Sequence, residues 1–178
     1  MALHRNNPTT AIPPNQAFLP SAPRLCLRSS LPDRGVLDGG WWPRSRDPAV
    51  ELPRLIADLN THLGQFVAIT RLALNPTAWD RTPSRVAVGD RIVPVGWFRT
   101  LDVDTITLTT TVHSRITLLV VPPEATADSA AIALAMATLG DSTARPLAIL
   151  AASGISASNP IAASLARHPS SSPDRLGP

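Results

Sequence analysis

The fold is decided by the stretch D-P-A-V-E-L-P-R-L-I-A-D-L-N-T-H-L-G, which runs from Asp47 to Gly64. Its large apolar residues recur at helical spacing and mark one buried face; they are Leu52, Leu55, Ile56, Leu59 and Leu63. Asp47 followed by Pro48 is a typical N-cap and first helical position, and Gly64 is a typical stop. An alternative prediction is that the regular helix starts only at Pro53, because proline has no backbone N–H to donate. The sequence therefore predicts one amphipathic helix between Asp47 and Gly64.

Upstream of this helix the chain has the pattern of a strand pair. Residues 24–28 and 36–42 are short apolar runs, and residues 32–35, P-D-R-G, supply turn chemistry between them. Downstream of the helix the apolar period changes from helical spacing to two, which predicts four strands at residues 66–74, 92–98, 105–109 and 116–121. Because no helix separates these four strands, we expect them to pair mostly antiparallel.

Two further features complete the prediction of elements. Pro94 and Gly96 lie inside the second of the four strands, which predicts an edge or bulged strand. Residues 126–139 predict a second helix, and residues 143–153 predict a short helical piece after it. The face of the second helix that we expect to be buried consists of Ile132, Ala135, Met136 and Leu139.

The predicted order is therefore β-β-α-β-β-β-β-α, an α+β fold. Its simplest arrangement is a curved, mostly antiparallel sheet of five to six strands with two helices on one face. Residues 24–153 form the single domain, while residues 1–23 and 154–178 are Pro- or Ser/Pro/Ala-rich tails expected to be disordered. We expect one core, which includes Leu55, Ile56, Leu59, Ile69, Ile106, Leu108, Leu118, Val120 and Ile132.

Composition restricts the partners and the compartment. All 16 basic residues are arginine, and the formal net charge is only +3, which gives little electrostatic drive toward nucleic acid. The single cysteine, Cys26, cannot form an intramolecular disulfide, and in its apolar strand it is expected to be an inert thiol. No apolar run approaches the roughly 18 residues that a membrane span needs. The sequence thus favours a cytoplasmic protein with no membrane contact.

The segment D-G-G-W-W-P-R-S-R-D, residues 38–47, is the most unusual in the chain. Adjacent residues on a strand point to opposite faces, so we expect one of its two tryptophans to enter the core and the other to face outward. An outward indole and nearby guanidinium groups before a helix N-terminus could hold a small anionic or planar ligand. The candidate ligand-binding residues are Trp41, Trp42, Arg44, Ser45, Arg46, Asn75, Trp79, Trp97 and Arg99.

A structural reading of the same residues stays open. The tryptophans could be core and rim packing, with the arginines paired to Asp38, Asp47 or Asp80 and stacked on the rings. Asn75 could equally shape the turn around Pro76.

Catalytic and metal-binding patterns are missing from the sequence. No histidine pair has metal-ligand spacing, and no nucleophile elbow, P-loop or dinucleotide fingerprint occurs, so neither a metal nor a cofactor is expected. The leading hypothesis is a non-enzymatic small-ligand-binding or regulatory domain. One alternative is a small enzyme that uses an aspartate, Asp80 or Asp38, beside the Trp/Arg residues; another is a purely structural or interaction domain. The catalytic residues and the oligomeric state stay undetermined.

Four motifs carry a resemblance to a known family. They are D-G-G-W-W-P-R-S-R-D at 38–47, N-P-T-A-W-D at 75–80, G-W-F-R at 96–99 and L-L-V-V-P-P at 118–123. With them, residues 24–150 resemble an actinobacterial family of small domains of unknown function. The resemblance implies a cytoplasmic bacterial protein and supplies no catalytic residue. The chain departs from the family pattern in the hairpin at 110–114 and in both tails.

Overall fold

A computed structural model of the chain describes residues 23–28, 37–63, 67–112, 114–139 and 145–156. The α-helices within these residues are α1 (Pro48–Leu63), α2 (Ala127–Leu139) and α3 (Pro146–Ala152). The strands are β1 (Leu25–Leu27), β2 (Gly39–Trp41), β3 (Ile69–Leu74), β4 (Arg85–Val88), β5 (Arg91–Trp97), β6 (Thr105–Thr110) and β7 (Arg115–Val120). Of the predicted disordered tails, 1–23 and 154–178, all but residues 23 and 154–156 lie outside the described residues, as does the predicted turn at 32–35.

The described strands form one open mixed sheet in the order β1-β2-β7-β6-β3-β5-β4. Four of the six neighbouring pairs are antiparallel, whereas β2 with β7 and β3 with β5 are parallel. The predicted five to six strands were too few, because β4 was missed. With four residues, of which only Val86 and Val88 are large apolar side chains, β4 carries too short a pattern to be recognised. Gly89, with φ 56°, forms the tight turn that joins it to β5.

The extra strand changes the position of β5. It lies between β3 and β4, so the prediction of an edge strand from Pro94 was wrong. The backbone N–H of Val95 donates to Ser84 on the β4 side, which turns the nitrogen of Pro94 toward β3. The ladder with β3 begins only at Val95, so the missing N–H of Pro94 interrupts no pairing there.

Helix α1 begins where its capping residue predicts. A side-chain oxygen of Asp47 accepts a hydrogen bond from the backbone N–H of Ala49 at 3.0 Å, and Pro48 is the first helical residue. The prediction that the regular helix starts at Pro53 was wrong, since Pro53 lies inside the helix. A missing N–H so close to the helix start costs one hydrogen bond, and burial of the Leu52, Leu55 and Leu59 side chains offsets it.

The sheet separates two hydrophobic cores. In β7, Leu118 and Val120 belong to the core around α1, and Leu119 between them belongs to the core around α2 and α3. The helices therefore lie on opposite faces, and the prediction of two helices on one face was wrong. Two helix stripes do not reveal which sheet face each covers; the continuous apolar run of β7, buried on both sides, is typical of a sheet covered on both faces.

The core around α1 involves the whole sheet. All seven strands contribute apolar side chains to it, those of β1 being only partly buried. The expected core residues are confirmed here except Ile132, which lies on α2.

The buried face of α2 was predicted wrongly. Its buried residues are Ala130, Ala133, Leu134 and Ala137, while Ile132 and Leu139 are 50% and 83% exposed. This helix is apolar on nearly all sides, so its periodicity does not select a face. Close approach to β2 selects it: a Cβ added at Gly40 would lie 2.8 Å from Cδ2 of Leu134 and 3.2 Å from Cβ of Ala137. Only the small-residue face of α2 fits against that glycine.

The C-terminal helical piece is confirmed as α3. It packs on α2 through Ile149 and Leu150, and the side chain of Ile155 is buried in the same core. The packed part of the chain thus reaches past the boundary at residue 153 that composition indicated. No helix within the described ranges is long and apolar enough to cross a membrane.

Candidate functional site

The two adjacent tryptophans are both buried, on opposite sides of the sheet. Trp41 is 3% exposed, and its ring stacks on Trp79 with centroids 5.8 Å apart. Trp42 is 6% exposed and belongs to the core around α2, while the guanidinium carbon of Arg24 lies 3.7 Å from its ring centroid. The predicted alternation is confirmed, but the prediction of an outward ring was wrong. Sequence gave no sign that β2 is covered on both faces.

Ser45 and Arg46 are held by contacts within the fold. The Ser45 hydroxyl donates to Oε1 of Glu51 at 2.9 Å, and the backbone N–H of Arg44 donates to Oε2 at 3.1 Å. Arg46 forms a bidentate pair with Glu124 at 2.7 and 2.9 Å and donates to the carbonyl of Ala78 at 2.8 Å. The hydrogen bond from Arg46 lowers the pKa of Glu124. The acidic partner of Arg46 is therefore Glu124, and not Asp38, Asp47 or Asp80 as expected.

Asn75 and Trp97 likewise shape loops. The Asn75 side chain accepts from the backbone N–H of Thr77 and donates to the carbonyls of Arg99 and Leu101. This confirms the alternative in which Asn75 caps the turn at Pro76. Nε1 of Trp97 donates to the carbonyl of Pro83 at 2.8 Å. Arg99 is exposed and does not line the groove that contains Trp41 and Trp42. The nine predicted residues therefore do not form one site.

Three of the nine, Trp41, Trp42 and Arg44, do meet in one groove, which we call the arginine groove. Its volume is about 320 Å³, and its remaining lining residues are charged: Arg24, Arg54, Glu51 and Asp58. Arg24 precedes β1, Arg44 lies in the loop between β2 and α1, and the other three project from α1. The register of β1 on β2, which pairs Leu25 with Trp41, brings the N-terminal end of β1 beside that loop. Arg24 is not predicted from the sequence, because this pairing is not visible in the chain, and Arg54 is not predicted because its place on α1 does not show what it faces.

The charges in the groove are unequally paired. The carboxylate of Glu51 is buried, and its ion pair with Arg54 has an N–O distance of 3.6 Å. No described carboxylate lies within 4 Å of the guanidinium group of either Arg24 or Arg44. Burial and the charge of Arg44 lower the pKa of Arg24, with Glu51 opposing them. Two like charges thus share the groove, and each lacks an acidic partner among the described residues.

A second, smaller cavity lies on the other side of the same loop. Its volume is about 20 Å³, room for roughly one water-sized group, and we call it the Asp104 cavity. It is lined by Asp104, Arg46 and Trp79, together with three prolines, Pro43, Pro122 and Pro123. Burial and the charge of Asp102 raise the pKa of Asp104 to about 6, with Arg46 opposing them. Asp104 is not predicted from the sequence, because L-D-V-D-T at 101–105 has the pattern of an ordinary turn between strands.

The aspartates considered for catalysis lie elsewhere. Asp38 is buried, and its Oδ2 accepts the backbone N–H of Thr117 at 2.7 Å, so it serves the pairing of β2 with β7. Asp80 is exposed, and neither residue lines the arginine groove. Burial raises the pKa of the Cys26 thiol, as an unreactive thiol requires. The described residues contain no group of three or more metal-ligating side chains.

Comparison with known proteins gives a family and nothing closer. No curated protein and no solved structure matches the chain. One family model matches residues 24–137, more than half of the 178 residues and a range that includes every lining residue of the arginine groove and of the Asp104 cavity. The chain therefore belongs to DUF5994, a family of unknown function.

Proposed function

We propose that this protein is a non-enzymatic binding domain whose arginine groove holds a small anion. One observation carries the proposal: the guanidinium groups of Arg24 and Arg44 share a groove of about 320 Å³, and neither has a carboxylate within 4 Å among the described residues. Like charges that are partly withdrawn from water repel each other. An anion placed between them removes that repulsion and accepts their N–H groups.

The partners of Arg24 support this position for the anion. Its guanidinium plane is fixed over the ring of Trp42 and reaches the carbonyl of Pro43 only at 3.5 Å, a long hydrogen bond. Stacking on an indole limits the rotamers of the arginine while leaving its edge N–H groups able to donate. Arg24 is therefore preorganised to bind an oxyanion, and the exposed side chain of Arg44 can close on it.

The burial of the tryptophans limits the class of ligand. The ring of Trp41 is stacked on Trp79, and the ring of Trp42 is covered by Arg24, so no free indole face remains for a planar ligand. The groove volume lies at the low end of the range for small-molecule sites. We therefore propose a small carboxylate or phosphate rather than a ligand recognised by its aromatic ring.

The test is thermal unfolding at pH 7 and low salt with added inorganic phosphate or succinate, against sodium chloride at matched ionic strength. A ligand at 100 times its Kd stabilises the folded state by about 2.7 kcal/mol. We expect stabilisation in the unaltered protein and in Arg81→Gln, whose side chain is exposed in the loop before β4. Arg44→Gln should lose it. Equal stabilisation by sodium chloride, or full stabilisation of Arg44→Gln, would overturn the proposal.

A structural role for the remaining candidate residues is the second proposal. Four of them form side-chain hydrogen bonds with other residues of the fold; they are Ser45, Arg46, Asn75 and Trp97. Their substitution should lower the free energy of unfolding without changing anion binding at the arginine groove. Loss of phosphate binding in Asn75→Ala, with unfolding unchanged, would contradict it.

We also propose the cytoplasm of an actinobacterium as the setting of the protein. A chain with 16 arginines, no lysine and 19 prolines fits a GC-rich genome, and a single cysteine needs no oxidising compartment. Recovery of the protein from a membrane or secreted fraction of such cells would contradict this.

A further inference from the structure

Asp104 differs from the other buried acids in what its side chain contacts. It is 8% exposed, close to the 7% of Asp38 and the 3% of Glu51. The carboxylates of Asp38 and Glu51 accept hydrogen bonds from Thr117 and from Ser45. No described residue donates a hydrogen bond to the carboxylate of Asp104 or forms an ion pair with it. Its oxygens are not among the fully buried polar atoms without a partner, so solvent reaches them, and water or a bound group must supply their hydrogen bonds.

The backbone of the same residue shows that the position is fixed. The Asp104 N–H donates to Oδ1 of Asp102 at 3.0 Å, and its carbonyl accepts the N–H of Val120 at 2.8 Å. The main chain is thus tied to the end of β7, and only the side chain is left without a partner. It lines the small cavity described above, whose walls are largely apolar.

The charges around the cavity favour a cation. Asp102, in the same loop, adds a second negative charge near Asp104. Arg46, which also lines the cavity, is already bound by both carboxylate oxygens of Glu124 and by the carbonyl of Ala78. The charge of Arg46 favours the ionised form of Asp104, but burial and the charge of Asp102 outweigh it, so the pKa of Asp104 stays raised.

We infer that the Asp104 cavity is a binding site for a primary ammonium group carried on a short alkyl chain. An ammonium group is about the size of one water, which matches a volume of about 20 Å³, and its N–H groups supply donors to the carboxylate in place of water. The indole of Trp79 attracts a cation, and the apolar proline side chains can pack against the methylene groups of the ligand. A hard metal ion needs about six oxygen ligands, more than the described residues bring together here. The chain contains no lysine, so its own side chains supply no such group.

The first experiment is thermal unfolding of the full chain with n-butylamine hydrochloride, compared with n-butanol at the same concentration. At pH 7.5 we expect a melting temperature that rises with butylamine and not with butanol. The effect should be lost at pH 4.5, because the carboxyl with a pKa of about 6 is then protonated and neutral. Asp80→Asn, a change at an exposed aspartate, should keep the effect, and Asp104→Asn should lose it. Arg44→Gln should also keep it, since the arginine groove is a separate site.

A second measurement uses the unaltered protein and does not depend on any variant folding. Carbon NMR of the Asp104 carboxyl should show its pKa falling by about one unit when butylamine is present at ten times its Kd, since the ligand binds only the ionised form. An unchanged pKa, an equal response to butanol, or an undiminished response in Asp104→Asn would overturn the inference. A larger response to an N-acetyl-lysine amide than to butylamine would identify a lysine side chain, rather than a free amine, as the source of the ammonium group.

Discussion

The two ends of the sheet are built differently. At the end formed by β1, β2 and β7, α1 covers one face and α2 with α3 covers the other, so successive residues such as Leu118, Leu119 and Val120 are all buried. At the end formed by β5 and β4, only the face toward α1 is covered by a described helix. There buried Val93 and Val95 alternate with exposed Ile92 and Pro94.

This difference locates the two cavities. Trp41 lines the arginine groove and Val120 lines the Asp104 cavity, and both residues come from the end of the sheet that is covered on both faces. Where a strand is covered on both faces, its side chains pack between the sheet and the helices. The loops that follow the end of such a strand enclose the space left between these layers. Withdrawal from water also strengthens the charges there, as for Arg24 and Asp104.

The largest effect we expect is from Leu59→Ala, in the core shared by both ends of the sheet. Leu59 is fully buried, so the variant should lose about 2–5 kcal/mol of unfolding free energy to the cavity it creates. Ile132→Ala, on the exposed face of α2, is the matched control and should change stability by less than about 1 kcal/mol. Denaturant unfolding measures both. A similar loss in the two variants would mean that something covers the exposed face of α2.

A smaller effect separates the two ends directly. Gly40→Ala places a Cβ 3.2 Å from Cβ of Ala137 in a packed helix, so we expect a loss of about 1–3 kcal/mol. Gly96→Ala places a Cβ against the ring of Phe98, which is 49% exposed and can swing away, so the loss should be well below that of Gly40→Ala. Equal losses in thermal unfolding would contradict the view that only one end is covered on both faces.

The smallest effect distinguishes two arginines in one loop. Arg46→Lys loses the bidentate geometry with Glu124 and should cost about 0.5–1 kcal/mol, since that pair is partly exposed. Arg44→Lys should change unfolding by less than about 0.5 kcal/mol, because no described acid pairs with its guanidinium group. If urea unfolding shows that Arg44→Lys costs more than Arg46→Lys, Arg44 has a structural role and the arginine groove loses its support.

Elements that are determined by neighbouring residues were predicted from the sequence, whereas those that depend on distant contacts were not. The start of α1 at Asp47 and Pro48 is determined by local capping, and β6 by its own alternation of threonine with apolar residues, so both were predicted closely. The partners of β2 and β5 depend on long-range pairing, and the face of α2 depends on a glycine that is 94 positions upstream of Leu134 in the chain. No local sequence pattern indicates these strand partners or the buried face of α2.

For the two cavities, the type of residue in the sequence was informative, but its position in the chain did not show which residues would meet. The segment around Trp41, Trp42 and Arg44 was recognised as unusual, and it does line the larger groove. Arg24 and Asp104 were missed, because the first depends on the register of β1 against β2 and the second on the burial of an ordinary turn by Trp79 and the prolines.

The sequence by itself determined that this chain forms an α+β domain, that a helix follows the Asp47–Pro48 cap, and that its positive charge is carried by arginine. Those features depend on near neighbours and on composition, which a linear chain contains in full. Only the tertiary structure decided that the helices lie on opposite faces, that Trp42 is buried, and that Arg24 meets Arg44 while Asp104 is left without a donor. Burial and the approach of charges depend on which distant segments pack together, and that is settled by the free energy of the whole fold rather than by any one stretch.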